Sequence, residues 1–279
     1  MIKHTAGVAR HAHLRPMPKR RLHRIAGAAF ATSFATGSAL AADLPVKASQ
    51  PPAYQWAGCY IGLNAGGAAS LTDFSTSVSP GTHLLGGDPA VVAGAGDGSR
   101  NFSTFLGGGQ AGCNLQSGTL VYGLEGDFDY FRAKSEFDNN TNTLSNGVTP
   151  FAVTQSLTTD FLATIRPRIG IAADRNFGYI TGGAAFTQAN YTQSYLDGAT
   201  PPGTGIATGS KFLVGWTLGA GWEYAWSDNW NFRVEYLFAK FGGISAAGTI
   251  ADAAGGTNAL QGSGDLIIQT LRAGVNFKF

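Results

Sequence analysis

The chain ends in the sequence IIQTLRAGVNFKF, residues 267–279. Odd positions from Leu271 to Phe279 are apolar and even positions are polar or glycine, with Gln269 as the one polar break on the apolar side. Neighbouring side chains of a β-strand point to opposite faces of the sheet, so this period of two predicts a strand with one apolar and one polar face. Such a strand is typical of a β-barrel whose outer face meets lipid.

Four further segments show the same alternation, and three weaker ones complete the set. They are residues 120–130, 161–171, 212–224 and 230–238, followed by the weaker segments 59–65, 105–115 and 177–191. The last of these alternates poorly and is assigned by its position in the chain. Together with the terminal strand, they predict an all-β fold, an eight-stranded antiparallel up-and-down transmembrane β-barrel.

The connections between these segments alternate in length. Long stretches rich in Gly, Ser, Thr and Asn fall near residues 69–100, 133–154, 192–210 and 242–264, and short ones at residues 116–118, 173–176 and 227–229. Outer-membrane barrels have long external loops and short periplasmic turns. We therefore expect four long external loops, three short periplasmic turns and both chain ends on the periplasmic side.

Composition and charge narrow the class of protein. Glycine accounts for 40 of 279 residues and charged residues for 13%, against usual shares of about 7% and about 25%. The most apolar stretch, residues 25–42, is interrupted by Thr, Ser and Gly, which excludes a spanning helix of about 20 apolar residues. Residues 1–42 hold seven basic and no acidic groups, so 12 basic and 17 acidic groups remain from Asp43 onward. The resulting charge of −5 argues against nucleic-acid binding.

The N-terminal region has the organisation of a secretory signal peptide. A basic head is followed by an apolar core and by Ala39-Leu40-Ala41, which fits a small-residue cleavage site, and we expect cleavage after Ala41. The head is long, so Met17 is an alternative start to Met1. The predicted domains are the signal peptide (1–41), a periplasmic N-terminal linker (42–55) and the outer-membrane barrel (56–279).

Export determines which histidines remain in the mature protein. Four lie in the predicted signal peptide: His4, His11, His13 and His23. Only His83 remains, in a predicted loop rich in Ser and Thr, where a lone histidine is usually solvated rather than catalytic. The sequence predicts no catalytic residue, no cofactor and no metal site, and a lipid-modifying enzyme is the most distant functional alternative.

Charged residues of the predicted strands fall on the inward faces. The set is Glu125, Asp127, Asp129, Arg166, Arg168, Glu223, Arg233, Glu235 and Arg272. An eight-stranded barrel is only wide enough for side chains to fill, and buried charges need partners. We interpret the set as a mutually paired network that closes the lumen. An ion pathway through a narrow, glycine-lined lumen is the alternative.

Both cysteines of the chain follow the predicted cleavage site, so they remain in the exported protein and meet an oxidising compartment. Cys59 begins the first predicted strand and Cys113 ends the second, so an antiparallel hairpin would bring them side by side. We predict a disulfide between them. Two small apolar side chains without a bridge are the alternative.

Aromatic residues and one proline carry further positional expectations. An aromatic girdle at the periplasmic rim is predicted from Trp56, Trp222, Trp226, Trp230, Phe277 and Phe279.

Pro167 has no N–H to donate, which predicts a bulge or a rim position in the fourth strand.

Four stretches of this sequence resemble one family. They are ALAADLP at residues 39–45, WAGCYIGLNAGG at 56–67, GGGQAGCN at 107–114 and LRAGVNFKF at 271–279. Together they resemble small alphaproteobacterial outer-membrane β-barrel proteins of the immunogenic, porin-like type. The resemblance covers essentially the whole chain.

The resemblance implies a location and several partners. It implies the outer membrane of a Gram-negative bacterium, contact with membrane lipid and lipopolysaccharide, and loops exposed to host factors, surface ligands or antibodies. It also implies that the barrel-assembly machinery reads a C-terminal signal formed by Ala273, Val275, Phe277 and Phe279. We expect a structural protein that contributes to the integrity of the envelope and to interactions at the cell surface. A small passive porin-like channel is the second hypothesis, and the oligomeric state is open.

Overall fold

The computed structural model describes residues 54–279, except for the side chain of Thr141. The strands are β1 (Gly58–Val78), β2 (Gly98–Ser117), β3 (Leu120–Thr143), β4 (Pro150–Ala173), β5 (Asn176–Asp197), β6 (Thr204–Ala225), β7 (Trp230–Phe241), β8 (Ile244–Ala251) and β9 (Thr257–Lys278), and the helix is α1 (Asp88–Ala95). No helix within residues 54–279 has the length and apolar character required to cross a membrane. The predicted signal peptide, its cleavage after Ala41 and linker residues 42–53 lie outside the described residues.

The strands form a closed antiparallel ring. β1 closes it by pairing with β9, for example with Leu63 opposite Val275. β7 and β8 share one position, because both lie between β6 and β9 and are separated only by Gly242 and Gly243. The ring therefore has eight positions, and the predicted eight-stranded barrel is confirmed. The segment assigned by position, 177–191, lies within β5.

Three short turns join the strands at the end of the barrel where Tyr54 and Phe279 lie. They span residues 118–119, 174–175 and 226–229. Gly118 (φ 61°) and Asp174 (φ 51°) adopt the left-handed conformation that two-residue hairpins require. Glycine adopts it without strain, and aspartate tolerates it better than most residues do. These turns match the predicted periplasmic ones.

The opposite end differs from the expectation of four long loops, because most of those residues continue the strands. Residues outside strands are confined to 79–97, which contains α1, and to the short connections 144–149, 198–203, 242–243 and 252–256. The Ser- and Thr-rich segments still alternate, and their inward faces carry apolar residues together with buried polar ones such as Gln155 and Gln193. On β4, for example, Phe151 and Leu157 are buried inside the barrel. The barrel thus extends beyond the membrane instead of ending in loops.

The outward faces of the strands form an apolar belt. On β3 the outward side chains from Leu120 to Tyr130 are uncharged, and the next outward residue is Arg132. A stretch of about 10 residues, at about 3.3 Å each on a strand tilted by about 40°, spans a height of about 25 Å. This is the height of the lipid-facing band of outer-membrane barrels.

A long break in the hydrogen bonding of the ring lies between β2 and β3. Their pairing ends at Leu106 opposite Phe131, although both strands continue. Beyond this point β2 pairs with β1 alone, and β3 with β4 alone. Inward residues of this part of β2, such as Phe102, are therefore only half-buried, whereas the inward Phe137 of β3 is buried. We call this break the β2–β3 seam.

Cys59 and Cys113 lie directly opposite each other on β1 and β2. Their Cα atoms are 4.0 Å apart and their sulfur atoms are bonded. The predicted disulfide is confirmed, and the alternative of two unbridged apolar side chains is wrong.

The prediction for Pro167 is wrong in its detail. Pro167 lies within β4, six residues before its end, with an unshifted register on both sides, and the register shift of β4 against β5 falls instead between Thr159 and Ala163. The missing N–H interrupts the ladder locally without a bulge. The hydroxyl of Thr181 donates to the Pro167 carbonyl at 2.9 Å, so that this acceptor remains paired.

Candidate functional site: the barrel lumen and its extracellular cap

The periplasmic mouth of the barrel is closed by aromatic side chains. Trp56 is 1% exposed and packs between Tyr54 and Phe177, with ring centroids 5.0 and 5.2 Å away. Its indole N–H donates to the Asp174 carbonyl at 3.0 Å. Trp56 was expected in the outer girdle, and this expectation is wrong, because the chain before β1 turns under the barrel. Tyr54, expected in an extended linker, packs here as well.

The remaining girdle residues lie on the outside. Their side chains are 37% to 70% exposed, namely Trp222, Trp226, Trp230, Phe277 and Phe279. Trp230 contacts both Trp226 and Phe277, with ring centroids 6.3 and 5.1 Å away. An aromatic cluster at this edge of the belt places amphipathic rings where lipid meets water.

Above the aromatic plug, the nine charged residues predicted to face inward all lie in the lumen and are more than nine-tenths buried. Glu125 contacts Arg166 at 2.8 Å, Arg168 at 3.4 Å and Arg233 at 2.8 Å. It also accepts a hydrogen bond from the Tyr60 hydroxyl. These residues come from β1, β3, β4 and β7, so the carboxylate ties together opposite walls of the barrel.

A second centre of the network is Glu235. It contacts Arg166 at 3.3 Å, Arg233 at 2.8 Å and Arg272 at 2.6 Å. The remaining ion pairs of the set are Arg166 with Asp127 at 2.7 Å, Arg272 with Asp127 at 3.1 Å, Arg168 with Glu223 at 2.6 Å, and Arg272 with Asp129. Several partners are cross-strand neighbours by register, for example Glu235 and Arg272 on β7 and β9. All nine residues therefore belong to one connected network.

Sequence reasoning overlooked the uncharged members of this network. The Tyr179 hydroxyl donates to Glu235 at 2.9 Å, and Arg168 Nε donates to Asn114 at 3.0 Å. Arg168 also stacks over the rings of Tyr60 and Tyr179, 4.7 and 5.0 Å from their centroids. These residues share the inward parity of their strands with the charged ones, and that parity is the signal that could have found them.

On the extracellular side of the network, apolar side chains fill the lumen. Buried members of this core include Phe74, Leu106, Phe131, Phe137, Leu157, Leu162, Leu260, Leu266 and Ile268. Helix α1 covers it, with Val92 fully buried. The connection 79–97, which contains α1, is hydrogen-bonded to neighbouring segments. Asn139 donates to the Ala95 carbonyl at 3.0 Å, and the Ser145 N–H donates to Asp88 at 2.8 Å.

His83 was expected to be solvated, and this expectation is wrong. Its side chain is buried at the extracellular end of the barrel. Its Nδ1 lies 2.6 Å from Asp252 and its Nε2 lies 2.7 Å from Asp197. The side chain is only 5% exposed. Both ring nitrogens are therefore engaged by carboxylates of the same chain.

A closed ring of eight antiparallel positions, an apolar outer belt, a charged interior and short turns at one end define an outer-membrane β-barrel protein. The family follows from comparison of the sequence. A model of the outer membrane protein beta-barrel domain matches residues 27–279, and the chain belongs to this family.

Two relatives match most of the chain. The 31 kDa outer-membrane immunogenic protein of Brucella melitensis is 32% identical over 262 residues, which cover 90% of this chain and 98% of the relative. The 25 kDa outer-membrane immunogenic protein of Brucella abortus is 30% identical over 236 residues, or 85% of each chain. The resemblance stated from sequence motifs is confirmed, and the outer membrane of a Gram-negative bacterium is the location of this family.

Solved structures that match this chain do so at low sequence identity. Ail of Yersinia pestis, in a complex with the heparin analogue sucrose octasulfate, gives a TM-score of 0.35 at 12% identity, covering 80% of this chain and 99% of Ail. OprG of Pseudomonas aeruginosa gives a TM-score of 0.39 at 9% identity, covering 80% of this chain and 97% of OprG.

Proposed function

We propose that the protein is a structural component of the outer membrane with a closed lumen, and that its extracellular end serves as a surface for interactions. The filling of the lumen carries this proposal. The aromatic plug around Trp56, the ion network centred on Glu125 and Glu235, and the apolar core under α1 follow one another along the barrel axis. A barrel of eight strands has little interior space beyond what such side chains occupy.

The extracellular end supports a role as a surface antigen. The strands continue beyond the apolar belt, and the tips expose Leu85 and Val148, with 62% and 79% of their surface accessible. Relatives of this chain carry the name outer-membrane immunogenic protein. We expect antibodies and host or surface ligands to contact these tips.

Lipopolysaccharide and membrane lipid are the proposed partners of the outer wall. Exposed cations follow the apolar belt on its extracellular side: Arg132, Lys134, Lys211 and Lys240. Cations at this level can pair with phosphate groups of the lipid layer. The C-terminal residues Ala273, Val275, Phe277 and Phe279 share the outward face of β9, where the barrel-assembly machinery could reach them during insertion.

Planar-bilayer conductance of the refolded protein tests the closed lumen. A heat-shift gel first selects preparations in which the barrel is folded, and a porin in the same bilayer serves as the positive control. We expect no discrete conductance steps. Reproducible steps whose ion selectivity changes in Glu125→Gln would overturn the proposal, because they would place the permeant ions beside the lumen network.

A small passive channel is the second candidate, and one observation favours it. Within the described residues, five buried polar atoms lack a hydrogen-bond partner: Asn64 Oδ1, Asp129 Oδ1, Arg168 Nη2, Arg233 Nε and Thr270 Oγ1. Groups of this kind also line hydrated paths. An enzyme is the most distant alternative: the named relatives are immunogenic proteins, and His83, the candidate base, is bonded to two carboxylates of the same chain.

A further inference from the structure

His83 joins three connections at the extracellular end of the barrel. It lies in the connection 79–97, whereas Asp197 ends β5 next to the connection 198–203 and Asp252 begins the connection 252–256. The side chains of Asp197 and Asp252 are 0% and 9% exposed. The three residues lie beyond the apolar belt, and their contacts join the connection 79–97 to the connections 198–203 and 252–256.

Hydrogen bonds from other groups hold the two carboxylates in place. Asp197 accepts from the Tyr195 hydroxyl at 2.8 Å and from the N–H groups of Ala199 and Gly203 at 3.0 and 2.9 Å. Asp252 likewise accepts from the N–H groups of Ala254 and Gly256 at 2.8 and 2.9 Å. Burial alone would raise the pKa of Asp197, but the hydrogen bonds outweigh it, and the pKa of Asp197 and that of Asp252 both lie below their ordinary value. Both carboxyls are therefore ionised near neutral pH, and an ionised carboxylate cannot donate a hydrogen bond.

Since both carboxylates only accept, both ring nitrogens of His83 must donate. A neutral imidazole carries one N–H, and only the imidazolium carries two. We propose that the His83 imidazolium is a pH-sensitive clasp that holds the extracellular cap closed and releases it when the ring loses a proton. This inference goes beyond the proposed function, because it concerns the cap and holds whether or not the lumen conducts.

The loops are shaped to close around this ring. A Cβ atom at Gly203 would lie 2.0 Å from His83 Nε2, and one at Gly256 would lie 3.2 Å from His83 Cα. Glycine at these positions allows the connections 198–203 and 252–256 to approach the imidazole. Contacts independent of pH also anchor the segment, since the Leu84 N–H donates to Asn258 at 2.7 Å. Release of the clasp would therefore loosen the cap without unfolding the barrel.

The direction of the pH dependence follows from the charges around the ring. Burial lowers the pKa of His83, but the hydrogen bonds and charges of Asp197 and Asp252 outweigh it and raise the pKa above its ordinary value of 6.5. A group whose pKa is raised on folding stabilises the folded form fully below its unfolded pKa, and the stabilisation is lost as pH rises through the folded pKa. Within residues 54–279, two further titratable groups lie near this site. Tyr195 faces Asp197, and its pKa is raised mainly by burial, with the charge of Asp88 adding to the rise.

Accessibility of Val92, which is fully buried under the cap, measures whether the clasp is closed. Val92→Cys and the exposed reference Val148→Cys are each labelled with a maleimide in the refolded full-length barrel at pH 6 to 10. The native cysteines are bridged and do not react. Thiol reactivity itself changes with pH. The labelling rate of Val92→Cys is therefore divided by that of Val148→Cys, and this ratio is compared between pH values. We expect this ratio to rise about tenfold across the His83 transition.

Variants separate the clasp from other causes. In His83→Gln the ratio is expected to be high at every pH, and in Asp252→Asn the rise should move to lower pH, because the ring then has one carboxylate partner. Gly203→Ala changes no titratable group and should raise the ratio by crowding the ring. A heat-shift gel at each pH confirms that each barrel is folded. A ratio that stays constant in the parent protein, or that rises with the same midpoint in His83→Gln, would overturn the proposal.

Discussion

Glu125 shows how single residues hold the lumen together. Its carboxylate contacts three of the four arginines of the network and accepts from Tyr60, while the side chain is almost fully buried. A buried ion pair contributes little over a well-packed apolar pair, but the loss of one partner leaves the other charged and desolvated. Removal of this carboxylate would therefore destabilise the protein mainly by leaving buried arginines without a charged partner.

We expect Glu125→Ala to lower the free energy of unfolding by about 3–5 kcal/mol. Arg168 and Arg233 would each lose a partner, and a cavity would add to the cost. Urea titration in lipid vesicles, followed by tryptophan fluorescence, measures the change. The matched control is Lys240→Ala, an outward and exposed charge without an ion pair in the described part of the chain, which should change stability by less than about 0.5 kcal/mol. Equal midpoints for both variants would contradict the role given to the network.

At the scale of the elements, the strands differ in how firmly they are held. The lower parts of β2 and β3 are paired on both sides, whereas above Leu106 and Phe131 each strand has one unpaired edge at the β2–β3 seam. Charged side chains such as Lys134 and Glu136, which contact each other, line the outward face of β3 there. Such charges discourage pairing with foreign strands.

Amide hydrogen exchange should reveal the seam. Backbone groups of residues 99–105 that face the seam lack a strand partner, so we expect about half of these amides to exchange much faster than those of residues 107–116. The measurement is made by NMR on the barrel in micelles. The matching segment of β1, residues 67–73, is paired on both sides and serves as the internal control. Uniform protection along β2 would show that the ring is closed at the seam.

The disulfide is expected to stabilise the hairpin of β1 and β2. It closes a loop with a sequence separation of 54, for which the chain-entropy relation gives about 4 kcal/mol. The double variant Cys59→Ser/Cys113→Ser should unfold at lower urea concentration, and reductant should shift the parent protein toward the variant. No shift in either experiment would exclude a stabilising role.

At the scale of the whole molecule, we expect the short turns to face the periplasm and the opposite end of the barrel to face the cell exterior. Val148 lies in the connection 144–149 at the extracellular end, and Asp228 lies in the turn 226–229 at the other end. In intact cells a membrane-impermeant maleimide should label Val148→Cys, and it should label Asp228→Cys only after permeabilisation. The bridged native cysteines do not react, so the unmodified protein is the blank. Reversed labelling would show that the orientation is wrong.

Much of the fold could be predicted from the chain because strand parity is a local property. The alternation around Arg233 and Glu235 or around Leu271 is visible in a few residues and places each side chain inside or outside. The extracellular continuation of the strands was missed, because beyond the belt lipid no longer selects apolar outward residues. Trp56 was misplaced because it precedes β1, where no alternation assigns a face.

The sequence by itself determined the eight antiparallel positions, the apolar belt, the inward set of charges, the cysteine pair and the family. These follow from the period of two and from the demand of lipid for an uncharged outer wall. Only the tertiary structure decided which arginine meets which carboxylate, where the chain closes the periplasmic mouth, where the β2–β3 seam lies, and that His83 sits between Asp197 and Asp252. These features depend on strand register and on contacts between residues more than 100 positions apart, which no local pattern encodes.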